Sequence, residues 1–432
     1  MREKLSKISS LIKKEGFFVT FKKILKVIKN KYFSKIEYIF NFKKKSMIKK
    51  SISEISEILK TSEYDSVVVW RSSFGWDVPL FQRPQHIANC LSKERVLVFY
   101  EITKLTDKVD TIKKQQENLY LVNFENPIVS QTFFKCMEQV DKPKYIQLYS
   151  TNWSISLKEI KEYIKNGYKI LYEYIDDLNP ALAGTEKLPK NIIEKHNYAM
   201  SDVENVYVVV TADELYTEVI KKRGNKNLAF STNGVDYEHF QTVKENYNFN
   251  AKFKKIIEQK KPIIGYYGAL ASWFDYDLLK KLLESRKDYN IILFGYKYDD
   301  SFEKEEIEKY NNLHFLGTCN YNILHHYANK FDVCVIPFKI NDITKATSPV
   351  KIFEYMALNK PIVTTKMHEC EKYKSVMIAK DAKNFISLVD KAIEMNKNKN
   401  KHNEYFKQLK TDALNNTWGK KTKIILEMLK EN

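Results

Sequence analysis

Lys351 and Glu354 are the charged side chains whose types and spacing point most directly to chemistry. They follow Ser348-Pro349, and a Ser before a Pro predicts a helix start with the Ser hydroxyl as its cap. The free N–H groups and the dipole of such a helix attract anions. Lys351 can then neutralise a diphosphate, and Glu354, one turn further on, can accept hydrogen bonds from sugar hydroxyls. A surface ion pair between residues i and i+3 explains the same spacing, so the spacing alone leaves both interpretations open.

The segment around this pair predicts a strand, a loop, a helix and a second strand. Val333–Phe338 and Ile362–Thr365 are short apolar runs rich in β-branched residues, as in buried strands. Asn359 predicts a left-handed stop of the helix between them. In parallel α/β sheets, ligands bind at the carboxyl ends of the strands, which is where the loop before Lys351 lies.

Similar apolar runs alternate with helical patterns from Ser66 onwards. The predicted strands of the first series are Val67–Trp70, Val96–Tyr100, Leu119–Val122, Tyr145–Tyr149, Ile170–Ile175 and Val206–Val210, and the second series adds Ile263–Tyr267, Ile291–Phe294 and Leu313–Leu316 to the two above. One helix has a capping-box pattern at Thr211–Glu214 and a stop at Gly224. Near-continuous apolar strands separated by helices predict parallel sheets that are covered on both faces. We therefore predict an α/β protein with two doubly wound, Rossmann-like parallel-sheet domains facing a cleft, plus a basic helical N-terminal extension.

Composition and pattern divide the chain into four segments. We predict a basic amphipathic helical extension at 1–60, an N-terminal domain at 61–240, a C-terminal domain at 255–405 and a closing segment at 406–432. The polar, Lys-rich stretch 241–260 contains the boundary between the two domains.

The net charge of +18 is concentrated at the N-terminus, since residues 1–60 hold 17 Lys/Arg and 5 Asp/Glu. Between Phe18 and Tyr32, apolar residues recur every three or four positions with lysines between them. Basic amphipathic helices of this kind lie on anionic membrane surfaces. We predict that residues 1–60 bind such a surface, which places the protein at the cytoplasmic, inner face of the plasma membrane. A helical arm docked on its own protein or on a partner is the alternative.

Other classes are disfavoured by what the sequence lacks. The five cysteines are scattered without a CxxC pair, which fits a reducing compartment better than a disulfide framework. No stretch approaches the roughly 20 apolar residues of a spanning helix. The N-terminus has no apolar core of a secretory signal. No nucleic-acid-binding module is recognisable, so nucleic acid is not an expected partner.

Further candidate residues lie near predicted strand ends. Gly268 ends a Gly-rich turn that permits close approach of a ligand to the backbone. Arg83 and His86 lie at a predicted helix start, where a cation can meet a phosphate or an acceptor, although His86 is equally explained as a packing residue. Gly75 and Trp76 precede them and can shape an acceptor pocket, with the indole as a stacking face for a sugar.

Carboxylates at one predicted strand end form the next group. Glu173, Asp176 and Asp177 in YEYIDD are suitably placed for acid/base chemistry or for binding acceptor hydroxyls. Asp299-Asp300 is expected to be solvated. The adjacent His325-His326 has no metal-ligand spacing and is interpreted as surface or packing.

Four stretches of this sequence resemble one protein family. SPVKIFEYMALNKPIV is similar to the nucleotide-sugar-binding signature of GT-B glycosyltransferases, especially the bacterial group 1 (family 4-like) enzymes of capsule and teichuronic-acid-type polysaccharide synthesis. WRSSFGWDVPLFQRPQHIANCLS, IGYYGALASWFDYDLL and NTWGKKTKIILEML resemble the family's first β–α turn, the start of its second domain and its closing helix. The resemblance runs, with gaps, from about Val67 to the C-terminus.

The resemblance implies a glycosyltransferase that moves a sugar from a nucleotide-diphosphate donor to a glycan or lipid-linked acceptor in cell-surface polysaccharide synthesis. It implies that the C-terminal domain holds the donor, that the N-terminal domain holds the acceptor, and that the final helix returns to the N-terminal domain. Such enzymes stabilise the leaving diphosphate with protein cations and helix N–H groups, so no metal or cofactor is expected.

Together with this resemblance, the sequence gives three sets of candidate site residues. The donor-binding set is Gly268, Phe294, Lys345, Thr347, Ser348, Pro349, Val350, Lys351 and Glu354; the acceptor-binding set is Gly75, Trp76 and Arg83; the catalytic set is Glu354, Asp177, Asp176 and His86.

Two departures from the family pattern keep alternatives open. Ala346 stands where many members have a second Glu, and Ala269–Asp275 lacks the usual basic pair, which makes Lys339 and Lys345 candidates for the phosphate charge. A GT-B-fold sugar-nucleotide epimerase and an inactive scaffold of a polysaccharide assembly complex are the two alternatives.

Overall fold

The protein alternates strands and helices along most of its length. The structure is a computed structural model that describes residues 43–71, 74–79, 81–103, 105–180 and 187–430. The strands are β1 (Ser66–Trp70), β2 (Val96–Glu101), β3 (Ile112–Gln116), β4 (Leu119–Val122), β5 (Lys144–Tyr149), β6 (Tyr168–Tyr174), β7 (Val206–Val210), β8 (Leu228–Phe230), β9 (Ile263–Tyr267), β10 (Asn290–Phe294), β11 (Leu313–Phe315), β12 (Val333–Ile336), β13 (Ile362–Thr364) and β14 (Val376–Ile378).

The helices connect these strands in the manner of βαβ units. They are α1 (Lys43–Thr61), α2 (Arg83–Lys93), α3 (Pro127–Met137), α4 (Leu157–Lys165), α5 (Lys190–Ser201), α6 (Asp213–Arg223), α7 (Tyr237–Gln241), α8 (Ala251–Glu258), α9 (Tyr276–Ser285), α10 (Ser301–Lys304), α11 (Tyr321–Ala328), α12 (Asp342–Lys345), α13 (Val350–Ala357), α14 (His368–Glu371), α15 (Ala382–Lys397), α16 (Asn403–Asn415) and α17 (Trp418–Lys430), with a 3₁₀ turn at Ile307–Lys309.

Two parallel sheets organise these elements. The first has eight strands in the order β3-β4-β2-β1-β5-β6-β7-β8, and the second has six in the order β11-β10-β9-β12-β13-β14. Central strands such as β7 (VYVVV) and β10 (NIILF) are buried at every residue, which is why they are apolar throughout rather than alternating. The predicted α/β architecture of two Rossmann-like parallel-sheet domains is therefore confirmed.

By internal contacts the described residues divide into two compact units, with those of 43–62, 108–113 and 121–141 in the smaller and those of 63–107, 114–120 and 142–430 in the larger. In the smaller unit, α1 packs on α3, with Ile55, Ile58 and Phe133 buried. The amphipathic pattern predicted between Phe18 and Tyr32 lies outside the described residues. Among the helices that the structure describes, none combines the length and hydropathy that crossing a membrane requires.

In the larger unit, the last helix packs on the first sheet's domain. The Tyr145 hydroxyl on β5 donates to the Leu429 carbonyl at 3.2 Å, and the Ser231 hydroxyl donates to the Lys421 carbonyl at 3.0 Å. α16, directly before it, packs against α13 of the second domain. The final helix thus packs against the N-terminal domain.

Candidate functional site

A cavity of about 340 Å³ lies in the larger unit, between the carboxyl ends of strands from both sheets. From the first domain it is lined by Phe74, Val78, Pro79, Gln82 and Gln85, and from the second by Tyr267, Gly268, Phe294, Gly295, Tyr296, Thr318, Cys319 and Leu324. None of these lining residues carries a charge, so the cavity suits an uncharged, partly apolar group. Gly268 and Phe294, both predicted donor-binding residues, line it.

Lys351 lies across Gly268 at the edge of this cavity. A Cβ on Gly268 would come within 2.1 Å of Lys351 Cε and 2.7 Å of its Nζ, and Gly268 has a φ of +142°. A side chain at this position would therefore displace the lysine. The Lys351 ammonium lies 5.6 Å from the ring centroids of both Tyr266 and Phe338, at cation–π distance.

Glu354 is buried one turn further along α13, with 7% of its surface exposed. Burial raises its pKa to about 7, while the Tyr267 hydroxyl and the Lys351 ammonium act in the opposite direction. Burial likewise lowers the pKa of Lys351, against the attraction of Glu354. The interpretation as a surface ion pair is thus wrong, because Glu354 is buried and Lys351 is half-buried.

The start of α13 differs from the prediction. The helix begins at Val350, and Pro349 occupies the cap position in an extended conformation with no side-chain cap. The Ser348 hydroxyl is therefore not the cap, because the chain turns helical only after the proline. The Ser348 carbonyl instead accepts from Asn233 Nδ2 of the first domain at 2.7 Å.

The loop before α13 contains further residues that were predicted to bind the donor substrate. Lys345 ends α12 and is exposed, as is Lys339, whereas Thr347 is half-buried. Ala346 is 2% exposed, so the position at which many relatives have a second Glu is an apolar interior position here.

Arg83 is held in a buried ion pair at the start of α2. Its Nε donates to Glu173 Oε2 at 2.6 Å and its Nη1 to the Thr232 carbonyl at 3.1 Å. Gly75 lies so close to the next loop that a Cβ would meet the Thr106 hydroxyl at 1.9 Å. Trp76 is buried, with its ring edge-to-face against Tyr100 at 5.1 Å, and so helps to fix this loop by packing.

His86 is enclosed by aromatic rings. It stacks on Trp418 at 4.9 Å and contacts Tyr321 edge-to-face at 5.4 Å. Burial, with His239 nearby, lowers the pKa of His86 to about 3, so the imidazole is neutral near pH 7. These surroundings favour the packing interpretation of His86 over an acid/base role.

Asp176 and Asp177 follow β6 and are both half-buried. Burial and the neighbouring Asp177 raise the pKa of Asp176 to about 6, while Arg83 opposes the shift. A carboxyl that titrates near neutrality at a strand end retains the capacity for acid/base work.

Tyr321 is a site residue that the sequence did not single out. Its backbone N–H donates to the Pro79 carbonyl at 3.0 Å, and its ring stacks on His239 at 4.6 Å. Burial, together with nearby Glu354, raises its pKa well above the usual value for tyrosine. The only sequence signal is its place after Asn320, which caps α11.

The structure locates two further pairs of neighbouring residues, His325-His326 and Asp299-Asp300. His325 and His326 are buried, with ring centroids 3.9 Å apart, so packing is confirmed and a surface location is wrong. Asp300 is exposed as expected, whereas half-buried Asp299 accepts from the Ser272 N–H at 2.9 Å.

A second contact joins the two domains at α6. The predicted capping box is wrong: the Thr211 hydroxyl donates to the Ile175 carbonyl, and α6 begins at Asp213 without a side-chain cap of its own. Glu369 of the second domain accepts from the Asp213 N–H at 2.8 Å. The carboxylates of Asp213 and Glu369 and the His368 ring lie within 4.8 Å of one another. The Lys372 ammonium already bridges the two carboxylates at 2.8 and 2.7 Å, so this group is an ion-pair network between domains.

The sequence and the fold match known proteins. Residues 248–409 match the family model of the group 1 glycosyl transferases. TuaH of Bacillus subtilis (strain 168), named as a teichuronic acid biosynthesis glycosyltransferase, is 26% identical over 171 residues, which are 38% of this chain and 41% of TuaH. The matched segment thus spans about two fifths of that relative's length.

Solved structures share the two-domain arrangement. Sucrose-phosphate synthase from Thermosynechococcus elongatus superposes with a TM-score of 0.58 at 13% identity, over 84% of this chain and 97% of that one. HepE from Anabaena, in complex with UDP-glucose, superposes with a TM-score of 0.55 at 12% identity, over 85% of this chain and all (100%) of that one. At these identities the likeness establishes the fold.

Proposed function

We propose that the chain is a group 1 glycosyltransferase of the GT-B fold that moves a sugar from a nucleotide-diphosphate donor to a glycan or lipid-linked acceptor in cell-surface polysaccharide synthesis. The observation that carries this proposal is the position of Lys351, folded across Gly268 at the rim of an uncharged cavity with Glu354 beside it. An uncharged cavity with a cation at its rim fits a ligand with a neutral base or sugar and an anionic diphosphate. The name of TuaH and the UDP-glucose in the HepE complex support the substrate classes.

Each side chain has a defined part in this proposal. The Lys351 side chain is half-buried and desolvation lowers its pKa, so a bound diphosphate supplies the counter-charge that it needs. α13 starts without a side-chain cap, which leaves its first N–H groups for diphosphate oxygens. Glu354 accepts hydrogen bonds from ribose or sugar hydroxyls. Because these groups stabilise the leaving diphosphate, the transfer is proposed to be independent of metal ions.

A thermal-shift panel of nucleotide sugars and free nucleotides, with and without chelator, tests the donor site. We expect one donor to stabilise the protein equally with and without chelator. Lys351→Ala should weaken that donor about 10- to 100-fold, since a charge-assisted contact is worth about 1.5–3 kcal/mol. Gly268→Ala should weaken it similarly by displacing the lysine.

The matched control is Lys391→Ala, an exposed lysine on α15 whose loss should leave the shift unchanged. If no nucleotide sugar stabilises the wild-type protein, the inactive-scaffold alternative replaces this proposal, and the apolar position of Ala346 would explain the loss. A donor converted to its epimer without an acceptor would indicate the epimerase instead.

We also propose that the N-terminal segment holds the enzyme on the anionic cytoplasmic face of the membrane. Because α1 packs on α3, deletion of residues 1–42 is a cleaner test than deletion of the whole 1–60 segment. We expect the deletion to reduce flotation with phosphatidylglycerol vesicles at least about tenfold, since basic residues contribute about 1 kcal/mol each near such a surface. Phosphatidylcholine vesicles are the control, and undiminished flotation with anionic vesicles would contradict the proposal.

A further inference from the structure

The described chain crosses between the two domains at two places, and these crossings are bonded to each other. The first crossing lies at 233–236, after β8, and the second at 416–418, between α16 and α17. The Val235 N–H donates to the Asn416 carbonyl at 2.9 Å, and the Trp418 N–H donates to the Val235 carbonyl at 3.0 Å. The two crossings therefore form one narrow connection, and residues within it contact both domains.

Asn233 lies where the chain leaves the first domain. The residue before it, Thr232, is held in that domain through its carbonyl, which accepts from Arg83 Nη1 at 3.1 Å. Two residues after Asn233, Val235 is 1% exposed and belongs to the hydrophobic core of the second domain. The backbone of Asn233 is thus fixed from both sides, because it is a short link between two packed segments.

The Asn233 side chain reaches the start of the helix that carries Lys351. Its Nδ2 donates to the Ser348 carbonyl at 2.7 Å. Ser348 is 5% exposed, and α13 begins two residues later at Val350, after the extended Pro349. Because the proline ring restricts the backbone between these points, the position of the Ser348 carbonyl determines where the first turn of α13 and Lys351 lie.

The stability of the fold does not by itself account for this amide. Asn233 Oδ1 is buried and has no hydrogen-bond partner among the described residues. One intramolecular hydrogen bond contributes modestly to stability and an unpaired buried acceptor costs a comparable amount, so the net contribution of the side chain is small. This balance indicates that the bond from Nδ2 serves to place Ser348 rather than to stabilise the protein.

We infer that Asn233 is a positioning residue for the donor site: from the first domain it holds the start of α13, and it thereby places Lys351 and the free N–H groups of that helix against the donor diphosphate. The inference rests on the proposed function, because it assumes a diphosphate at Lys351, and it adds a residue that touches no substrate. The donor site, although built on the second domain, then takes its final geometry from the contact between the domains.

Inorganic pyrophosphate is the probe for this inference, because it reports on the diphosphate site without a base or a sugar. Asn233→Leu keeps the approximate size of the side chain and removes its donor. We expect it to raise the Kd for pyrophosphate, measured by calorimetry, about 3- to 10-fold, since one hydrogen bond holds the start of α13 in place. The melting temperature should change little, and Asn233→Ala, the second variant, should change the Kd alike. In a Lys351→Ala background the effect of Asn233→Leu should be smaller, because it acts largely through that lysine.

The matched control is Asn312→Leu. The Asn312 Nδ2 donates to the Leu283 and Arg286 carbonyls at 3.1 and 3.0 Å, all within the second domain. Its loss should lower the melting temperature and leave the Kd for pyrophosphate unchanged, which separates positioning from a general loss of stability.

Three results would overturn the inference and leave the proposed function intact. They are a Kd that both Asn233 variants change less than about twofold, an equal rise in Kd in Asn312→Leu, and effects of Asn233→Leu and Lys351→Ala that multiply in full. Failure of the wild-type protein to bind pyrophosphate would overturn the inference together with the diphosphate site of the proposed function.

Discussion

Glu354→Gln is expected to remove most turnover while making the free protein more stable above neutral pH. The carboxylate is the only charged acceptor that α13 places beside Tyr267 and Gly268, among the described residues, so Gln loses the charge-assisted bonds to donor hydroxyls. We expect kcat/KM to fall on the order of 100-fold, about 3 kcal/mol of transition-state stabilisation.

The gain in stability follows from the pKa of Glu354, which burial raises from 4.5 to about 7. The folded protein holds a proton that the unfolded chain releases, so this group's contribution falls as pH rises from 4.5 to about 7. At pH 8 the buried carboxylate destabilises the folded protein by on the order of 3 kcal/mol. Glu354→Gln removes this cost, but it also removes the attraction between Glu354 and Lys351, which offsets part of the gain. The net gain of Glu354→Gln is therefore about 1–3 kcal/mol at pH 8 and close to zero at pH 4.5.

Denaturant unfolding at pH 4.5, 6 and 8, together with turnover at pH 7, measures both effects. Glu371→Gln is the matched control, because Glu371 is exposed and its replacement should change neither quantity. Turnover close to the wild-type value would remove Glu354 from the donor site. A stability difference that does not change with pH would show that the carboxyl is not buried as described.

The fold was largely predictable because strands covered on both faces must be apolar throughout. β7 and β9 consist of residues that are all buried, and their predicted bounds match the structure. β3 (IKKQQ) was missed because its residues are exposed or only half-buried, so no apolar run marks it. Three-residue strands such as β14 (VMI) are too short to give a pattern of their own.

Helix starts were less predictable, because a local cap competes with tertiary partners. The pattern at Thr211–Glu214 satisfies the rule for a capping box, yet the Thr211 hydroxyl bonds to Ile175 and Glu369 caps the helix from the other domain. Glu369 is 156 residues from Asp213 in the sequence, so no local sequence pattern indicates this contact. At Ser348 the extended conformation of Pro349 moves the helix start by one residue.

In the candidate site, too, the sequence indicates the residue types, whereas their surroundings depend on tertiary packing. The spacing of Lys351 and Glu354 suggested their chemistry, but only the fold shows that Glu354 is buried and that Lys351 lies against Gly268, which lines the cavity. The ring of aromatic contacts around His86 joins α2, α11 and α17, which are far apart in sequence. No local pattern distinguishes such an enclosed histidine from a solvent-facing one.

Arg83→Met is expected to destabilise the larger unit by about 3–5 kcal/mol, the usual cost of removing one partner of a buried ion pair. Arg83 and Glu173 have side chains that are 4% and 0% exposed and are joined at 2.6 Å. Without the guanidinium, the Glu173 carboxylate stays buried beside Asp176 and Asp177 with no counter-charge. Glu173→Gln should cost less, because an amide oxygen still accepts from Arg83 Nε.

The double variant Arg83→Met/Glu173→Leu should recover most of the loss, since replacing both charges with apolar groups leaves nothing uncompensated. Denaturant unfolding of the wild type, Arg83→Met, Glu173→Leu and the double variant gives the coupling energy. Arg95→Met is the matched control, because its pair with Asp65 has side chains 55% and 62% exposed and should not change stability measurably. If both single losses are small and additive in the double variant, the pair contributes little to the fold.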